Sequence, residues 1–161
     1  MAPVSNLHLN RIHLGAGHYH WPGFMNHDDD VDLWNLPYES ESVDEIHCIH
    51  LFEHIPRLRV YELLHEWKRV LVPRGTLTME LPSLDKMAQM IVDGEENQRL
   101  TLLGIFGDPR DWDDRPLMRH EWAWTNKELR QVLSDAGFAV EFEEPVFHIQ
   151  RRDLRVIGRK Q

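Results

Sequence analysis

The chain has 161 residues, 42% of them hydrophobic, which suits a single core and a single domain spanning 1–161. Its 27 acidic and 18 basic side chains give a formal net charge of -9, so there is no basic face to neutralise phosphates; duplex nucleic acid and an anionic membrane surface are disfavoured, and a cationic ligand is favoured. One cysteine, Cys48, excludes an internal disulfide; the N-terminus lacks a leader pattern and no apolar run nears about 18 residues, so a cytoplasmic setting is the expectation.

In chain order, "NRIHLGAG" (10–17) reads as a short buried strand closed by a glycine turn, and "GFMNHD" (23–28) as a second strand entered through Pro22-Gly23. Residues Ile46 to Phe52 have the length and apolarity of an interior strand, with Cys48 as a packing residue inside it. A helix follows over 57–72, where Val60, Leu63, Leu64, Trp67, Val70 and Leu71 recur at three- and four-residue spacings and form one apolar stripe. Pro73-Arg74-Gly75 predicts a stop, and "TLTMELP" a further strand closed by Pro82.

Residues 84–106 read as helical but weakly specified, and 107–124 as a long polar and aromatic loop of the kind that carries function. Thr125 with Glu128 predicts a capping box, and Gly137 the residue that ends the helix. "AVEFEE" and "DLRVIGRK" are too close for a helical crossover, so they predict an antiparallel hairpin. Strands alternating with helices make this an α/β chain.

The chemistry gathers in "HLGAGHYHWPGFMNHDDD" (13–30). Gly15 and Gly17 after a first strand let a ligand approach the backbone, and Asp28 at the tip of the second strand can accept two hydrogen bonds from a ribose diol. Asp32 could reach an adenine amino group, with Leu33 and Leu36 over the base. His18 and His20 could instead join His27 and Asp28 as metal ligands, a reading that leaves the glycines unexplained. His50, His54 and His120 are the histidines placed to act as a base. Asp32 could equally cap a turn, and Glu53 could serve only the helix that follows it.

The order "LGAG", "NHD", "DLWNLPYESESVDEI", "LFEHI", "WKRVLVPRGTLTMELP" and "LSDAGF" resembles the class I S-adenosylmethionine-dependent methyltransferases, specifically the small type 11 proteins, over roughly residues 11 to 142. The resemblance implies a Rossmann-like, mostly parallel sheet with a C-terminal antiparallel hairpin, and S-adenosyl-L-methionine as cofactor. It implies Gly15, Ala16 and Gly17 beside the methionine moiety, Asp28 on the ribose, Asp32 and Leu33 at the adenine, and His50 near the methyl group; His18, with Tyr19, His20 and Trp21, reads as a loop that roofs the cofactor or borders the acceptor, or as exposed surface. His13 stands where that family has an acidic residue, Tyr19 replaces the third glycine, and Gly17 to Asp28 is too short for the usual helix. The expected function is methyl transfer to a small-molecule, sugar or nucleotide-type acceptor, with a homodimer allowed. The alternatives are a binding protein that has lost turnover and a metal-dependent hydrolase using His18, His20, His27 and Asp28.

Overall fold

Ile12 and Leu14 alternate with His13, and that period of two builds β1 (Arg11–Leu14), whose apolar side faces the core. The computed structural model describes residues 10–112 and 118–161, so part of the predicted 107–124 loop lies outside the described residues. β1 is joined by β2 (Met25–His27), β3 (Val43–Ile49), β4 (Leu71–Pro82), β5 (Phe138–Glu143) and β6 (Asp153–Lys160). They form one sheet in the order β2-β1-β3-β4-β6-β5; the first four strands are parallel and β6 runs antiparallel between β4 and β5. The expected hairpin is present, and it is inserted so that the last strand pairs with β4.

Helices α1 (Val60–Val70) and α4 (Asn126–Asp135) bury their apolar stripes in one cluster with Ile12, Leu14, Ile46, Cys48, Leu77 and Met79, so they cover one sheet face. Between them in sequence lie α2 (Leu84–Val92), begun by Ser83, whose hydroxyl accepts from the Lys86 amide, and the short α3 (Leu102–Phe106). The 84–106 segment is therefore two helices rather than one: Gly94 at φ 83° and a 3-10 turn at Gln98–Leu100 divide it. Among the described residues no helix is long and apolar enough to cross a membrane.

Two boundaries and one cap differ from the sequence reading. β3 starts at Val43 and ends at Ile49, because His50 turns to φ 53° and Phe52 enters a 3-10 helix (Phe52–His54). Pro73-Arg74-Gly75 does not end the helix; α1 stops at Val70, and these residues bulge within β4, where Val43 pairs Leu71 and Glu45 pairs Thr76. Gly75 is required there, since an added Cβ would lie 2.9 Å from the Val72 carbonyl oxygen. The capping box is half made: the Thr125 hydroxyl accepts from the Glu128 amide, but the Glu128 carboxylate is drawn away to Arg57 and to the Trp122 indole.

No helix links β1 to β2. In its place residues 18–24 fold back over the second sheet face, where Trp21 stacks on His13 at 4.2 Å and meets His47 edge-on at 5.2 Å, while Phe24 meets His47 at 4.8 Å. Asn26 locks this segment: its side chain accepts from the Trp21 amide and donates to the Trp21 and Phe24 carbonyls.

Candidate functional site

Because β1 and β3 are parallel neighbours, their carboxyl ends open side by side. Past β1 the chain turns through Gly15 (φ 71°), Ala16 and Gly17 (φ 51°). A Cβ on Gly15 would lie 2.9 Å from the Leu51 Cβ, whereas the space at Gly17 is open. The Ala16 amide donates to the His27 carbonyl at 2.8 Å, tying the turn to the tip of β2. A cavity of about 530 Å³ lies between this turn, Ile49 and His50 at the end of β3, and Phe147 and His148 from the β5–β6 connection. The connection is held in place by buried Glu80, whose carboxylate accepts from the Val146 and Phe147 amides and pairs with Arg155 at 2.9 Å.

On the cavity wall His50 bridges two buried carboxylates, Nδ1 at 2.9 Å from Glu53 and Nε2 at 3.1 Å from Asp153. Burial alone would lower its pKa, but Glu53 and Asp153 outweigh burial and raise it to about 9. Glu53, despite burial that opposes ionisation, is held near 2 by His50. Asp153 is likewise held well below the carboxylate range, against its own burial, by hydrogen bonds from His148, His50 and Arg152. His50 is thus a cation with both ring nitrogens engaged. It has no lone pair for a proton at neutral pH, so the geometry opposes the base role expected for it.

His13, also on the wall, is buried, and burial lowers its pKa. Its Nδ1 lies 3.3 Å from the Asn26 side-chain oxygen, which can only accept, so Nδ1 carries the proton and Nε2 keeps its lone pair. Nε2 is buried without a hydrogen-bond partner among the described residues.

Of the other predicted residues, Ala16, Gly17 and His18 line the cavity with Gly15. Asp28 is exposed one position past β2, as its sequence context suggested, but does not line the cavity. Asp32 caps a turn, accepting from the Trp34 amide at 2.9 Å, and Leu33 packs against the core while its carbonyl accepts from the Trp67 indole. Leu36 is buried in the core. Neither Leu33 nor Leu36 lines the cavity. His54 and His120 do not line it either; each donates Nδ1 to a backbone carbonyl, of Arg119 and Gly104 respectively, and they converge on Glu53.

His18, His20, His27 and Asp28 do not come together: among the described residues the two clusters with metal-ligand spacing are His50-His148-Asp153 and Glu53-His54-His120. His27 is engaged at both nitrogens, by Asp30 at 2.7 Å and the Tyr38 hydroxyl at 2.5 Å. The hydrolase reading therefore loses its ligand set. Sequence reasoning expected Trp21 in a loop over the cofactor or beside the acceptor, and Trp21 lines the cavity; it missed Phe147, His148, Asp153 and Glu80. Of these only Asp153, a carboxylate opening an apolar strand, carried a local signal; the rest depend on a chain reversal or on register.

Residues 25–79 match the family model described as Methyltransferase domain, of type 11. A search of curated proteins finds none that matches. Among solved structures, a SAM-dependent methyltransferase from Archaeoglobus fulgidus has a TM-score of 0.61 at 14% identity, covering 94% of this chain and 86% of that one. A Thermotoga maritima SAM-dependent methyltransferase, described as a possible histamine N-methyltransferase, has a TM-score of 0.59 at 12% identity, covering 94% and 82%. A Bordetella parapertussis protein described as a possible exported protein is 24% identical with a TM-score of 0.54; 91% of this chain is covered, and it spans about half, 47%, of the Bordetella chain. These likenesses bear out the expected fold.

Proposed function

We propose that the chain is a class I S-adenosylmethionine-dependent methyltransferase of type 11, in which the cavity at the carboxyl ends of β1 and β3 binds the methyl donor and presents it to a small acceptor. The observation that carries the reading is the glycine turn that walls this cavity, with Gly15 and Gly17 at positive φ and open space at Gly17 where a side chain would intrude. The residues present fit the donor. His13 Nε2 is a buried acceptor with no partner, suited to an ammonium group, and backbone at 15–17 lies close enough to the cavity for main-chain contacts. Asp28 at the tip of β2 is the residue for the ribose diol. Asp32, occupied by its turn, is left out of the adenine contacts.

When bound, S-adenosylmethionine supplies a methyl group on a sulfonium, a good leaving group, so alignment accounts for much of the acceleration. The chain's own part is to orient and to handle a proton. Trp21 and Phe147, 4.5 Å apart, form an aromatic wall that excludes water beside the cavity. For a hydroxyl acceptor the base facing the cavity is His148, whose ring lies 4.0 Å from His50. Its Nδ1 is 3.3 Å from Asp153 and 3.4 Å from an Arg152 nitrogen. Arg152 can only donate to Nδ1 and Asp153 can only accept from it, so the tautomer that gives Nδ1–H to Asp153 is the one that leaves Nε2 able to take the proton. An amine or carboxylate acceptor needs only the alignment.

Calorimetry with S-adenosylmethionine and S-adenosylhomocysteine tests the reading. Micromolar binding is expected, weakened about tenfold or more by His13→Phe, which keeps the ring stack on Trp21, and by Asp28→Ala. Absence of binding by the folded protein refutes it. Binding without turnover on any acceptor offered narrows the function to cofactor binding.

A further inference from the structure

Glu53, His54 and His120 each offer one ligand atom, and these atoms lie within 4.8 Å of one another. A backbone carbonyl can only accept, so the hydrogen bonds from His54 Nδ1 to the Arg119 carbonyl (2.8 Å) and from His120 Nδ1 to the Gly104 carbonyl (2.9 Å) put the proton on Nδ1 of each ring. In the neutral rings both Nε2 atoms therefore hold lone pairs. The third group, Glu53, is 2% exposed; one carboxylate oxygen accepts from His50, and the other, Oε2, is buried with no partner among the described residues. Three acceptor-bearing groups thus converge, with no donor to Glu53 Oε2 among the described residues, an arrangement that is costly unless something positive sits there.

We propose that Glu53, His54 and His120 bind a first-row divalent metal ion, zinc foremost, through Glu53 Oε2 and the two Nε2 atoms. Two imidazoles and one carboxylate suit zinc and its neighbours rather than magnesium or calcium, which take oxygen ligands. The N–H to carbonyl bonds on the far side of both rings are the contacts that fix a ligating histidine's tautomer and orientation. Ligand atoms of a tetrahedral ion with bonds near 2.0 Å stand about 3.3 Å apart, so rotations of about an ångström draw the three groups onto the metal. Three protein ligands leave a further position for water or a ligand.

The neighbouring cluster shows what a filled site looks like. Asp153 Oδ2 already accepts from His50, from the Ile149 amide and from Arg152, so donors and positive charge occupy the place a cation would take. The two ligand-bearing segments of the proposed site also come from different elements. Glu53 and His54 belong to the 3-10 turn after β3, and His120 to the long loop that follows α3, held nearby by the Glu121 and Trp122 amides on the Glu53 carbonyl. The ion would pin that loop to the end of the central strand.

Chelator-stripped, tag-free protein titrated with zinc chloride is expected to bind one equivalent at micromolar Kd or tighter, and cobalt(II) to give the visible absorption of nitrogen and oxygen ligation. His54→Asn and His120→Asn, checked by far-UV circular dichroism, should each weaken binding at least tenfold, while His148→Asn and His18→Asn leave it unchanged. Zinc at about a hundred times Kd should raise the wild-type Tm by about 5–10 °C and leave that of the His120→Asn variant unmoved. Absence of binding by the folded wild type, or binding insensitive to both His54→Asn and His120→Asn, overturns the proposal. S-adenosylhomocysteine affinity measured in the same variants separates this outcome from failure of the cofactor reading.

Discussion

Lowering the pH from 7.5 to 5 should loosen the protein through His47. This residue sits on the second sheet face beneath Trp21 and Phe24, with its side chain 12% exposed. Burial first, then the charges of Arg155, His13 and Arg11, lower its pKa from 6.5 to about 4. Glu45 could oppose this, but its carboxylate is turned to Arg11 at 3.0 Å and stays 3.9 Å from His47, too far for a hydrogen bond. A base depressed in the folded state adds stability that is complete above pH 6.5, falls away as pH drops below 6.5, and is gone by about pH 4. The whole shift corresponds to about 3 kcal/mol, and about 2 kcal/mol of it disappears between pH 7.5 and 5. That is a large share of a typical domain's stability. In urea unfolding the midpoint should fall by about 1 M over this range. His47→Phe, which keeps the ring contacts but cannot be protonated, should lose most of that pH dependence. An unchanged pH dependence in His47→Phe would refute the assignment and leave His13, also lowered by burial, to carry it.

Gly15→Ala should cost about 1–2 kcal/mol for the left-handed backbone, plus the clash with Leu51; Gly17→Ala should incur the backbone cost without a clash, and both should weaken cofactor binding in calorimetry. Asp153→Asn leaves His50 and Arg152 without their buried partner and should lower stability by about 3–5 kcal/mol in urea unfolding at pH 7, with a much smaller loss in a His50→Asn background. Thr125→Ala should remove about 1 kcal/mol by deleting the cap of α4, read as a lower thermal midpoint.

The strand and helix order was legible because side chains alternate every two residues in β1 and recur at three and four in α1, and both patterns are written locally. The bulge in β4 was not, since Pro73 to Gly75 look the same in a turn and in a strand that must loop out to keep register with Val43 and Glu45. Gly15, Gly17 and Asp28 were placed at strand ends by spacing, because sequence could delimit those strands; the two glycines line the cavity and Asp28 does not. His54 and His120 were singled out as bases for a hydroxyl acceptor, but neither lines the cavity. Only the tertiary placement of residues 118–124, which seats Glu121 against Glu53, turns them toward a buried carboxylate.

The sequence by itself determined the parallel α/β order, the antiparallel end and the glycine turn, because propensity and period act over a few neighbouring residues. Tertiary structure alone decided which charges meet. His50 lies 103 positions from Asp153, and Glu53 67 from His120, so their protonation and their capacity to bind depend on distances that sheet register sets and local sequence does not encode.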